Sequence, residues 1–264
     1  MTWGPRGAHA PANAGDAHGA GARRGSFVAV GVGLGGVGQA TLEAVALIRR
    51  ADRLFYCVVD GAVELWLREC NPRAESLAPL YQEGRDRGAT YADMVKGFVT
   101  AVHDGHSTCA VFYGHPGVLV EATHATIRLL RDEGYAARMI PGVSADGCLY
   151  ADLLLNPGDH GLQSHETSRF VYNARDWDPH TPLILWQIGV FGRTDWTARP
   201  KPDPARLSDV RARLLTRYPE SHGVILYYAA TSPMMEPSVR HVALRDLPDT
   251  HVYPMDMLVV PPLA

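Results

Sequence analysis

Three glycine-bearing breaks, each just past an apolar run, constrain this chain most. The run CAVFYG (109–114) reads as a buried strand. It stops at Gly114-His115-Pro116-Gly117, and an amphipathic helix is expected over 118–134. Upstream, SFVAVGVG (26–33) is a β-rich run ending in glycines, with a helix expected over 38–52 and a strand over 53–60. Downstream, Ile140-Pro141-Gly142-Val143-Ser144-Ala145 separates a strand from another helix. Alternating β and α over roughly 130 residues implies a largely parallel sheet. Its strand ends, stripped to bare backbone by Gly and Pro, form the rim where open α/β sheets bind ligands.

At 264 residues the chain has room for one large domain or two ordinary ones, and its 46% hydrophobic content suits a sizeable core. A net charge of −3, with no basic run among aromatics, argues against nucleic-acid binding. No apolar stretch is long enough to span a membrane. Residues 1–25, rich in Ala, Gly, Pro and His without an apolar centre, read as a disordered tail rather than a secretory signal. Cys57, Cys70, Cys109 and Cys148 are scattered without a C-x-x-C. They read as packing or free thiols of a reducing compartment, so a cytoplasmic protein without a metal centre is expected.

The expected division is 26–142 and 143–264. Residues 62–70 read as a short helix, 91–105 as a longer one, and 71–90 as a polar, aperiodic loop of the kind that carries function. In the second half, strands are expected over 164–174, 182–192, 223–231, 238–247 and 251–262, with a helix over 203–218.

Taken alone, Gly31-x-Gly33-x-x-Gly36 followed by Asp60 at the end of the next strand fits a dinucleotide fingerprint, or a tight β–α turn without a ligand. Ser144 lacks the second glycine of a nucleophile elbow and reads as a helix N-cap. Gln187, inside LILWQIGV, fits a hydrogen-bonded core amide or a ligand contact. His115 has no partner at metal-ligand spacing.

The three turns in this order resemble the tetrapyrrole methylase-like (class III) methyltransferases, over about residues 26–262. The segments CVVDGAVELWLRECNP, YQEGRDRGATYADM, VFYGHPGV, EGYAARMIPGVSADGCLYADL and PLILWQIGVFG more narrowly resemble the borosin peptide backbone α-N-methyltransferases. The resemblance implies a tetrapyrrole methylase-like fold, two α/β/α domains with S-adenosylmethionine folded into the cleft between them. It implies cofactor contacts at Gly33, Tyr113, His115, Val118, Leu119, Ser144, Ala145, Gln187, Tyr227, Ala229 and Met257. Tyr227 or Tyr228 packing in the core is the competing reading. Tyr81, Arg87, Tyr91 and Tyr113 match the family's catalytic pattern.

That pattern suits the chemistry. An amide nitrogen is a poor nucleophile because its lone pair is delocalised. A phenol beside a guanidinium can take its proton and support the oxyanion. Tyr91 is expected to hold or take the proton, Tyr81 and Arg87 to hold the carbonyl side, and Tyr113 to position the acceptor. Two departures stand out. Leu77-Ala78-Pro79-Leu80 lacks a further loop Tyr, and Met255-Asp256-Met257-Leu258 replaces a small Ser/Thr pair. The resemblance further implies an interlocked homodimer. Because the sequence ends at Ala264 without an acceptor tail, a split, bacterial-type enzyme is expected, acting on a separate precursor peptide with a helical recognition domain and C-terminal core. A tetrapyrrole acceptor or a non-catalytic sensor is the alternative.

Overall fold

The computed structural model describes residues 25–173, 176–201 and 203–263; the expected tail falls almost wholly outside them. The first half builds β1 (Ser26–Gly31), α1 (Leu42–Arg50), β2 (Arg53–Cys57), α2 (Gly61–Cys70), β3 (Ala74–Ser76), α3 (Arg87–His103), β4 (Ser107–Phe112), α4 (Glu121–Asp132) and β5 (Ala136–Ile140). These strands form one parallel sheet in the order β3-β2-β4-β1-β5. Period two decides the packing. Phe27, Ala29, Phe55, Ala110 and Phe112 face α3 and α4, while Val30, Leu54, Tyr56, Cys109 and Val111 face α1 and α2.

The second half adds α5 (Ala145–Asp152), α6 (Pro157–His160), β6 (Gln163–Glu166), α7 (Thr167–Tyr172), β7 (Leu183–Trp186), α8 (Pro204–Leu215), β8 (Gly223–Tyr228), β9 (Ser238–Ala243) and β10 (Met257–Val260). Its sheet runs β6-β7-β10-β8-β9, with only β6–β7 parallel. One face packs on α5 through Leu149, Ile184, Tyr227 and Val259. The other packs on α7 and α8 through Phe170, Leu207, Val210 and Leu258.

Several elements depart from their sequence-based bounds, each for a local reason. The first helix starts at Leu42, not residue 38, because Thr41 Oγ1 accepts from Ala44 N at 3.1 Å; a 3-10 turn fills 37–39. The loop 71–90 contains edge strand β3 and a 3-10 turn, and α3 begins four residues early because Asp86 caps it through Ala89 N. Residues 164–174 are not one strand. Glu166 accepts from Ser168 N and Arg169 N, and this cap turns the chain into α7. β7 ends at Trp186 because Gln187 is left-handed, at φ 60°. The last strand starts only at Met257, since Asp256 Oδ2 accepts from Tyr253 N at 2.6 Å and closes a turn. Residues 244–247, expected as the end of a strand, belong instead to a 3-10 turn over Leu244–Asp249.

Among the described residues no helix is long and apolar enough to cross a membrane, and no group of three His, Cys, Asp or Glu is placed to hold a metal.

Candidate active site

The three glycine turns touch at the carboxyl ends of the first sheet. A Cβ on Gly31 would lie 2.3 Å from Gly114 O and 2.9 Å from Gly142 Cα; one on Gly142 would lie 2.5 Å from Gly114 O. Backbone meets backbone there with no room for a side chain at Gly31 or Gly142, while Gly114 holds left-handed backbone at φ 65°, which favours glycine. Gly33 and Gly114 also pair as a bridge, Gly114 N donating to Gly33 O at 2.8 Å.

This junction floors a cavity of about 1000 Å³, mouth included, between the two sheets. Each wall comes from a strand end. β2 brings Cys57, β4 brings Phe112 to His115, and the approach to α4 brings Val118 to Val120. The start of α5 gives Ser144 and Ala145, the end of β7 gives Trp186 and Gln187, and the end of β8 gives Ala229 and Thr231. Pro254, Met255 and Met257 lead into β10, and Leu34, Tyr81, Tyr91 and Met94 complete the lining. Of the residues singled out from sequence, Tyr81, Tyr91, Tyr113, His115, Val118, Leu119, Ser144, Ala145, Gln187, Ala229 and Met257 line this cavity.

Gly33, Arg87 and Tyr227 do not. Tyr227 is fully buried and packs among core residues of the second sheet, its hydroxyl donating to Asp152 Oδ2 at 2.6 Å. Gly33 sits beneath the wall in its bridge to Gly114. Arg87 opens α3, where its amide donates to Thr194 O at 2.9 Å. Its charge nonetheless acts on Tyr91 and Tyr113, pulling both phenols downward.

The phenols cluster around Cys57. Burial pushes Tyr91 above the ordinary phenol range against the pull of Arg87. Burial likewise lifts Tyr113, a third of whose surface stays open to the cavity, to about 12. It raises Tyr81 as well, helped by Cys57, Tyr91 and Tyr113 nearby. The Cys57 thiol, in polar contact with Tyr81, is itself pushed up to about 11 by burial. At neutral pH all four groups therefore carry their protons: Arg87 does lower the Tyr91 phenol, as its pairing in the sequence implied, but burial outweighs it. Cys57 had read as packing; its position at a β2 end, on the rim where ligands sit, was the available signal.

Two cavity residues are strained. Gln187 and Leu119 hold left-handed backbone at φ 60° and 58°, which costs a side-chain-bearing residue about 1 kcal/mol or more. Among the described residues the Gln187 side-chain amide makes no hydrogen bond, so it is open to a ligand. His115 is braced, its Nδ1 accepting from Gly117 N at 2.9 Å. Ser144 stands at the α5 N-cap position but donates to Asp146 instead of capping with its side chain.

The first turn is not built for a pyrophosphate. Leu34 N and Gly35 N both donate to Gln39 Oε1, at 2.7 and 2.9 Å, and Asp60 caps α2 through Ala62 N. The donors a dinucleotide needs are already used.

The sequence matches Tetrapyrrole (Corrin/Porphyrin) Methylases over residues 26–248. Among curated proteins, it is 38% identical over 213 residues to a methyltransferase/ribosomally synthesized cyclic peptide dendrothelin A precursor of Dendrothele bispora. That match takes in 81% of this chain and 51% of the relative. It is 37% identical over 215 residues to the corresponding omphalotin A precursor of Omphalotus olearius, with the same coverages. The chain thus spans about half the length of these curated relatives. Among solved structures, uroporphyrin-III-C-methyltransferase from Thermus thermophilus superposes with a TM-score of 0.64 at 20% identity, covering 90% of this chain and 92% of that one. The two sheets with their shared cavity, the three glycine turns and these matches make the chain a member of the tetrapyrrole methylase family.

Proposed function

We propose that this protein is an S-adenosylmethionine-dependent methyltransferase that methylates backbone amide nitrogens of a ribosomally made peptide. The observation that carries the acceptor class is the cluster of Tyr81, Tyr91 and Tyr113 on one cavity wall, within the field of Arg87. The printed names of the fungal relatives, which join a methyltransferase to a peptide precursor, support it.

The cavity fits the cofactor. Apolar Leu34, Val118, Leu119, Ala229 and Met257 alternate with polar Gln187, Ser144 and Thr231, which suits a molecule with apolar and polar parts. In this reading Gln187, Ser144 and the 114–119 turn hold it. Bound there, S-adenosylmethionine supplies an electrophilic methyl group.

The chain's own residues prepare the amide. The nitrogen must lose its proton, and Tyr91 takes it once ionised. Arg87 favours that ionisation and stabilises charge developing on the carbonyl oxygen. Tyr81 donates to the same oxygen, and Tyr113 sets the peptide plane against the cofactor wall. The remaining barrier is lowered by alignment. The same reading carries a homodimer, for which the almost fully exposed Leu42, Leu154 and Met234 offer apolar surface.

The test is competition between acceptors. Purified protein with methyl-labelled S-adenosylmethionine receives a peptide of the precursor type, as a separate molecule, or a porphyrin precursor. Label in the peptide supports the reading; label only in the tetrapyrrole overturns the acceptor class. Cofactor bound without turnover on either would indicate a sensor.

A further inference from the structure

Tyr81 belongs to a loop that hydrogen-bonds to the other half of the molecule. Gly84 N donates to Trp196 O at 2.9 Å, Trp196 N to Arg85 O at 2.8 Å and Arg87 N to Thr194 O at 2.9 Å, with Asp86 and Asp195 paired as an isolated antiparallel bridge. Ala198 N adds a bond to Glu83 Oε2 at 3.1 Å. Residues 194–198 thus run as a short ribbon along 83–87, immediately ahead of Arg87 and Tyr91. The Trp196 ring also lies against the Tyr81 ring, with centroids 5.8 Å apart at 48°. On its hydroxyl side Tyr81 is in polar contact with the Cys57 thiol, so the phenol is gripped at both ends.

We propose that Trp196 is a positioning residue for the transfer step. Its backbone ties the 83–87 loop to the second half of the chain, and its ring fixes the Tyr81 phenol over Cys57 at the cavity wall. The inference rests on the peptide reading of the site. Trp196 does not line the cavity, so it acts through Tyr81. A tilted aromatic pair of this kind is worth more than its buried area, and it restricts ring rotation. Without it, Tyr81 can swing off Cys57 and the acceptor carbonyl loses a fixed donor.

Two readouts keep the inference separable from the reading it rests on. In peptide methylation, Trp196→Ala is expected to lower kcat by on the order of 10- to 100-fold, the cost of a misplaced group, with cofactor affinity unchanged. Trp196→Phe, which keeps an aromatic ring on Tyr81, is expected to restore most of the rate. Independently of turnover, alkylation of Cys57 by a small thiol reagent, located by peptide mapping, is expected to quicken by on the order of tenfold in Trp196→Ala as the loop opens locally, and not in Trp196→Phe. A protein that methylates no peptide yet shows the Cys57 effect refutes the acceptor class and keeps the positioning role. Unchanged kcat together with an unchanged Cys57 rate overturns the role. So does an equal loss of cofactor binding and rate in both variants, which marks a merely structural residue. Should Trp196→Ala not fold, Trp196→Leu carries the same comparison.

Discussion

Tyr91 is a phenol held up by burial and pulled down by Arg87, and burial wins. If its phenolate takes the amide proton, only a small fraction is active at neutral pH. The peptide kcat/KM is therefore expected to rise by about tenfold per pH unit through the alkaline range below the phenol pKa. A flat profile would remove Tyr91 as base. Tyr91→Phe is expected to lose about 100-fold or more in kcat, the usual worth of a positioned base, with cofactor affinity kept; a rate near that of the parent would contradict the role. Gln187 poses a different residue-scale question, since it keeps a strained backbone and an unpartnered amide at the cavity. Gln187→Gly relieves the strain but frees the unfolded chain, so stability is expected to stay within about 1 kcal/mol. Cofactor affinity, measured by titration calorimetry, is expected to fall by about tenfold, one hydrogen bond's worth. Unchanged affinity would exclude Gln187 from the cofactor contacts.

At the scale of elements, the junction of three turns is the part most legible in the sequence, because Gly and Pro punctuate strand ends in a way periodic patterns do not hide. Gly142→Ala tests it. The new Cβ would meet Gly114 O and the Gly31 backbone inside van der Waals distance, so a cost of about 1–3 kcal/mol is expected in denaturant unfolding, with weakened cofactor binding. An unchanged midpoint would mean the turns are not in register as described. Other elements were hidden for physical reasons. α7 depends on the cap at Glu166, and the ends of β7 and the start of β10 depend on one left-handed residue and one side-chain turn; none of these alters hydrophobic periodicity. Cys57 looked like packing because a buried strand end and a cavity wall share the same apolar composition. Trp196 was invisible because two loops more than a hundred residues apart leave no local pattern when they pair. Tyr227 illustrates the reverse case, where the position in LYYAA suited either role and the side chain is found buried, bonded to Asp152.

At the scale of the whole molecule, the cavity takes walls from both sheets, so occupancy ties the halves together. With S-adenosylmethionine at a hundredfold excess over Kd, stabilisation of about 2.7 kcal/mol is expected. That should raise a single calorimetric transition by about 5–10 °C for a chain of this size. Two transitions, only one of them shifted, would place the ligand within one half alone. The most direct measurement is tandem mass spectrometry of a precursor-type peptide after incubation with the protein and S-adenosylmethionine. Added single-methyl steps on backbone amide nitrogens, absent in Tyr91→Phe, are the expected result. Methyl groups confined to side chains, or a peptide left unmodified while the cofactor binds, would contradict backbone N-methylation as the reaction of this site.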